Sequence, residues 1–149
     1  MSERLSNKEF LGILKETFKR GQELRFTPTG RSMLPMLDGV NDTVTFAPVN
    51  GRLKKYDVPF YQRDNGQLVL HRVVGFDKDG GYVMSGDGQY YFEHGITDDN
   101  ILAIMVSFTH KGKTHSVTDL SDRLYIRRMM FMKLLKMFAR KVYHKLKRK

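Results

Sequence analysis

The sequence predicts a mainly β body, with one helix at its N-terminal end and a basic amphipathic helix at its C-terminal end. Two patterns carry this reading. Between Leu24 and Val117, short apolar runs alternate with glycine-bearing turns, and no crossover helix separates them. At the two ends, Phe10–Phe18 and Leu124–Leu146 carry apolar residues at helical spacing. Length adds a bound: 149 residues make one domain with room for little more than an appendage. The division expected is a body with its N-terminal helix over residues 1–118 and a helical tail over 119–149.

In chain order, Ser6-Asn7-Lys8-Glu9 reads as a capping box, the serine hydroxyl and the glutamate carboxylate each satisfying a free backbone N–H. Phe10, Leu11, Leu14 and Phe18 form the apolar face that follows, and Gly21 suits the helix end. A single helix does not make a helix-turn-helix, so no DNA-reading module is expected here. Leu24–Thr27 alternates like a strand and leads into Thr29-Gly30-Arg31-Ser32-Met33-Leu34-Pro35-Met36-Leu37. Thr43–Val49 reads as the next strand, with Pro48 suiting an edge. Tyr56–Gln62 and Gln67–Val74 flank Arg63-Asp64-Asn65-Gly66, a hairpin signal because Asn and Gly both tolerate positive φ. A second hairpin turns at Asp77–Gly81 and leads into Gly81–Ser85. A last one pairs Ile101–Thr109 with Lys113–Val117 across Lys111-Gly112. There is no internal repeat and no low-complexity linker.

Charge is divided sharply. Net charge is +10, yet all 16 acidic residues lie between Glu3 and Asp122. Eleven of the 26 basic residues lie from Arg123 onward, so the body carries fifteen basic against sixteen acidic residues, a net of −1. The basic pI describes the tail, and specific nucleic-acid binding by the body is not expected. With no cysteine there is no disulfide framework, thiol nucleophile or cysteine-built zinc site, and no cofactor or metal is called for. The longest strongly apolar uncharged run, Ile101–Thr109, is about half a membrane-spanning length. The N-terminal residues lack the apolar centre of a secretion signal. The expectation is a cytoplasmic protein whose tail is available to the inner membrane face.

The chemistry-bearing stretch is the one around Ser32. Gly30 can adopt backbone angles closed to other residues and so present Ser32 on a sharp turn, which Pro35 stiffens. Any tight turn shares these features. A serine nucleophile also needs an adjacent base, and five histidines are candidates: 71, 94, 110, 115 and 144. His71 alone sits inside an apolar run, Val69-Leu70-His71-Arg72-Val73-Val74, where a core role and a base role are both open. Strand alternation puts His71 on one face and Arg72 on the other, so one of them needs a buried partner or an edge. A base that becomes cationic in the transition state calls for a carboxylate behind it.

Ser-Met-x-Pro, then the Leu-His-Arg-Val-Val run, then Gly86-Asp87, resembles the signal peptidase and LexA-like superfamily of serine proteases. The match is nearest its histidine-type branch, found in the endoplasmic reticulum and archaea, and it covers Gly30 to Val106. The resemblance implies the superfamily's coiled β-sheet body and a Ser32–His71 pair. The third catalytic acid falls at Glu93, where the branch carries aspartate, with Asp87 as a buried structural acid or the alternative. It also implies substrate contacts around Gly30, Met33, Leu34 and Pro35. An oxyanion would be met by backbone N–H groups at the Ser32 turn, since no neighbouring side chain is an obvious donor. An extended peptide or protein is the expected substrate, because a β body can pair an added strand along an edge. Two departures stand out. The family's Gly-Asp-x-Val is Asn41-Asp42-Thr43-Val44 here, and the membrane anchor of signal peptidases has no counterpart. The rival readings are a catalytically silent peptide binder and a self-cleaving regulator, though no Ala-Gly-type scissile linker is visible.

The tail carries a stripe of Leu124, Phe131, Leu135, Phe138, Val142 and Leu146, with lysines and arginines over much of the remainder. Docking on the body, an anionic membrane surface, and an acidic protein or nucleic-acid partner are all compatible with it.

Overall fold

A computed structural model describes residues 5–147. Met1–Arg4 of the N-terminal segment, and Arg148 and Lys149 of the basic tail, lie outside the described residues. The chain forms α1 (Asn7–Lys19), β1 (Leu24–Phe26), β2 (Thr43–Ala47), β3 (Pro59–Gln62), β4 (Leu68–Leu70), β5 (Arg72–Phe76), β6 (Tyr82–Ser85) and β7 (Glu93–Ile96). A 3₁₀ turn at Asp98–Asn100, β8 (Ile101–His110), β9 (Lys113–Ser116) and α2 (Leu120–Leu146) follow. The result is two mainly antiparallel sheets with a helix at each end of the chain.

The larger sheet has the order β1-β2-β8-β3-β4, with β9 also paired to β8. The long β8 is its spine: its first residues pair with β3 and its last with β9, while β2 runs along the other side. The smaller sheet is β5-β6-β7. The three expected hairpins form at the expected turns, β3–β4, β5–β6 and β8–β9. The capping box at Ser6 and Glu9 is present as read.

One boundary differs. The sequence reads Gln67–Val74 as a single strand, but β4 ends at Leu70 and β5 begins at Arg72 in the other sheet. Backbone bonds from outside cause the switch: the Val73 carbonyl accepts from Tyr56 N–H and the Val73 N–H donates to the Asp57 carbonyl, both at 2.8 Å. His71 is therefore a hinge residue between sheets. His71 and Arg72 are both 1% exposed, and Arg72 finds the buried partner that the alternation calls for in Asp87.

Period-2 alternation in β3 feeds two cores. Phe60 enters the first, with Leu14 of α1, Phe46, Met105 and the serine-loop residues Met33, Met36 and Leu37. Phe10 and Phe26 close over it, with ring centroids 4.9 Å apart in an edge-to-face arrangement. Tyr61 enters the second core, with Val69, Val73, Tyr82 and Met84. The serine loop thus packs into the first core, while the residues flanking His71 pack into both, Leu70 in the first and Val69 and Val73 in the second.

The tail is helical as expected, and the face it docks on the body is not the apolar stripe read from the sequence. Asp122, Ile126, Met130 and Lys133 are its buried residues, while all six stripe residues are exposed.

Candidate active site

Ser32 lies in the turn-rich segment between β1 and β2. Gly30 enters it at φ +99°, a conformation that disfavours any side chain. The far end of the segment is anchored by Asp42, which is buried and accepts from the Asp38 N–H at 2.7 Å and His110 Nδ1 at 2.6 Å. Burial pulls that carboxyl upward, but these hydrogen bonds win and hold it below the usual range. Asp42 of Asn41-Asp42-Thr43-Val44 thus anchors the far end of the serine segment.

The Gly86-Asp87-Gly88 loop braces the serine turn from behind. The Gly88 N–H donates to the Ser32 carbonyl at 2.9 Å. A Cβ on Gly86 would lie 2.5 Å from that same oxygen, so only glycine permits the approach. Asp87 faces away from the serine and pairs with Arg72 through two bonds, 2.8 Å to Nε and 2.7 Å to Nη2. Arg72 Nη1 also donates to the Tyr56 carbonyl at 3.0 Å. Asp87 is therefore the buried structural acid.

His71 and Ser32 line one cavity of about 270 Å³, along with Gly30, Met33, Arg63, Gln89 and Tyr91. Leu34 and Pro35, expected to shape the substrate site, do not line it; the peptide joining them is cis. Residues Gln67 to Leu70 form another wall, and β4 is the end strand of the larger sheet. No hydrogen bond joins Ser32 to His71.

Behind His71 is a relay. Tyr61 Oη lies 3.2 Å from His71 Nδ1 and donates its proton to Glu93 Oε2 at 2.7 Å. With that proton committed, the phenol oxygen can only accept, so Nδ1 carries the imidazole proton and Nε2 keeps its lone pair. Glu93 itself is 3.8 Å from Nδ1 and is clamped by Arg63 at 2.5 and 2.6 Å. Burial raises the Glu93 carboxyl, but the Arg63 and Tyr61 hydrogen bonds outweigh it and keep it ionised. Burial pushes the His71 imidazole down to about 4, against the opposing pull of Glu93, so it is neutral at pH 7. The Tyr61 phenol is raised by burial and by Glu93, and stays protonated.

The other histidines are engaged elsewhere or lie on the surface. His94 meets Asp77 at 2.7 Å, His110 meets Asp42, His115 lies 3.4 Å from Asp122, and His144 is exposed on α2. Tyr61, Arg63, Gln89 and Tyr91 join the site without having been singled out in the sequence. None of the four gave a signal of its own: Arg63 read as the first residue of the Arg63–Gly66 turn.

The tail reaches the site as well. Lys133 is buried, and its ammonium donates to Ser85 Oγ and to the Gly86 carbonyl, both at 2.7 Å. Ser85 Oγ in turn donates to the Tyr91 carbonyl at 2.8 Å. Burial lowers the Lys133 pKa. One lysine thus ties α2 to both ends of the loop that walls the cavity. No family model matches the sequence, and no curated protein and no solved structure matches it either.

Proposed function

We propose that the chain is a serine endopeptidase of the signal-peptidase-like type, with Ser32 as nucleophile and His71 as base. The observation that carries this is the shared cavity, lined both by His71, with its ordered relay behind it, and by Ser32 on its glycine-braced turn. The two-sheet antiparallel body and the motif order support the superfamily's β fold.

In this reading Ser32 Oγ attacks the scissile carbonyl carbon as its proton passes to His71 Nε2. Charge on the imidazolium is met through Tyr61 by Glu93, which Arg63 holds in place. The Ser32 and Met33 N–H groups, which have no hydrogen-bond acceptor among the described residues, face the developing oxyanion. His71 then returns the proton to the leaving amine, and water repeats the sequence on the acyl-enzyme. An extended peptide has a docking edge beside the serine in the unpaired side of β4. Arg63, Tyr61 and Glu93 are positioning residues; Asp87 holds the loop.

A silent peptide-binding relative is the second reading. It is favoured by the missing Ser32–His71 hydrogen bond and by an imidazole shifted to about 4. Labelling with a serine-directed fluorophosphonate separates the two. The enzyme reading expects stoichiometric labelling of the native chain and none of Ser32→Ala or His71→Gln, each checked for an unchanged melting curve. Undiminished labelling of Ser32→Ala, or a folded native chain that never labels, ends it.

A further inference from the structure

The C-terminal helix has two faces that look inward or outward for different reasons, and only one touches the body. At 3.6 residues per turn, the buried Asp122, Ile126, Met130 and Lys133 share a sector of about 80°. Leu124, Phe131, Leu135, Phe138, Val142 and Leu146 share a second sector of about 80°, centred about 160° away from the first. They are 41% to 69% exposed. Arg127 and Lys145 run along one margin of this free stripe, and Arg128 lies at the other. No acidic residue follows Asp122.

We propose that this free face lies on an anionic lipid bilayer surface. The helix would run parallel to the membrane, its stripe at the boundary of headgroups and acyl chains and its basic margins at the level of the phosphates. Charge complementarity selects this occupant. A second copy docking stripe to stripe would bring two rows of positive charge together, with no acid on either free face to offset them. None of the helices described is long and apolar enough to cross a bilayer, so the helix lies on the surface.

The geometry adds a consequence. The docked face holds Lys133 on Ser85 and Gly86, and Arg140 stacks 4.5 Å over the Tyr90 ring. The loop that walls the Ser32 cavity therefore sits across the helix from the lipid, about one helix diameter of ~10 Å away. The inference stands whether or not Ser32 is catalytic.

The test is vesicle flotation of the full chain with phosphatidylcholine alone or mixed with phosphatidylglycerol, at low and at high salt. Two variants accompany it: Phe131→Ser/Phe138→Ser on the stripe, and Arg127→Gln/Arg128→Gln/Lys145→Gln on its margins. The full chain should float with the anionic vesicles and be released by salt as the Debye length shrinks. The stripe variant should bind about tenfold more weakly or worse. The margin variant should lose about fivefold per charge, roughly 100-fold in all. The stripe variant should melt at the native temperature, because Phe131 and Phe138 are each 67% exposed. No binding to anionic vesicles at low salt overturns the proposal, as does equal binding to neutral ones. A lowered melting temperature for the stripe variant would show the stripe packed on the body. A dimer in sedimentation that the stripe variant dissolves would give the face to a second copy. Either result refutes lipid as the occupant.

Discussion

Replacing Asp87 by asparagine keeps the shape of the side chain and removes the charge facing Arg72. Both side chains are 1% exposed, and the carboxylate accepts two charge-assisted bonds from the guanidinium. An asparagine can accept one of them, while its NH₂ group is turned against the other N–H, donor to donor. Arg72 then keeps its full charge in the interior, with the Tyr56 carbonyl and the Met36 sulfur as its remaining contacts. Breaking a buried pair from one side costs about 3–5 kcal/mol, so the expected loss is about 4 kcal/mol. That is a large part of the ~5–15 kcal/mol that holds a domain folded. The chain has no tryptophan, so urea unfolding at pH 7 is followed by far-ultraviolet circular dichroism, and the midpoint should fall with little change in slope. Arg72→Met/Asp87→Leu removes both charges at similar volume and should lose less than either single change, a coupling of about 2 kcal/mol or more. A loss below about 1 kcal/mol for Asp87→Asn, or a double variant that loses the sum of its singles, would refute the assignment of Asp87 as a buried structural acid.

Two further outcomes follow from the histidine relay. His71 is held at about 4 by burial, below the ordinary imidazole value of 6.5, so between those pH values the unfolded chain binds more protons than the folded one. Its contribution, up to about 3 kcal/mol, is fully present above pH 6.5 and is lost as pH falls towards 4. Denaturation curves should show this slope in the native chain and not in His71→Gln, and the acidic limb of kcat/KM should fall near pH 4 rather than 6.5. Tyr61→Phe cuts the link between His71 and Glu93 while keeping the ring in its core, so kcat should drop roughly 100-fold with KM little changed. Comparable activity in Tyr61→Phe would show that Glu93 acts on His71 without the phenol.

How much of the site could be read beforehand depended on whether its cause was local. Gly30 and Ser32, the Asn65-Gly66 turn and the Ser6–Glu9 cap are local devices, written in neighbouring residues, and they form as read. The break at His71 is not local: Val69 to Val74 is continuously suited to a strand except at His71 and Arg72. It ends because Tyr56 and Asp57, far back in the chain, capture the backbone of Val73. The same distance hid Tyr61. In a half-buried strand the tyrosine would be one apolar position among others, but β3 is covered on both faces, so its ring enters the second core and its hydroxyl meets His71 and Glu93. Arg63 read as the first residue of a turn, and its clamp on Glu93 depends on β7 being brought alongside by β6.

The tail poses a sharper problem, because its sequence contains two candidate docking faces and the less apolar one is buried. The docked face includes Asp122 and Lys133, which a hydrophobicity pattern discounts, while the rejected stripe is apolar throughout. Lys133 resolves the choice. Its aliphatic stem can cover apolar surface while its ammonium reaches two oxygens, Ser85 Oγ and the Gly86 carbonyl, left available at the end of β6. A leucine in its place would leave the Gly86 carbonyl without that donor, at a cost of about 1–3 kcal/mol. The docked face therefore gains the two hydrogen bonds of Lys133, which the apolar stripe could not supply. Leaving the larger stripe in water forfeits roughly 1.5–3 kcal/mol for each large side chain that could be fully covered. A chain that buries its poorer face and keeps its richer one bare, bordered by cations and free of acids, keeps that second face available for the anionic surface we propose.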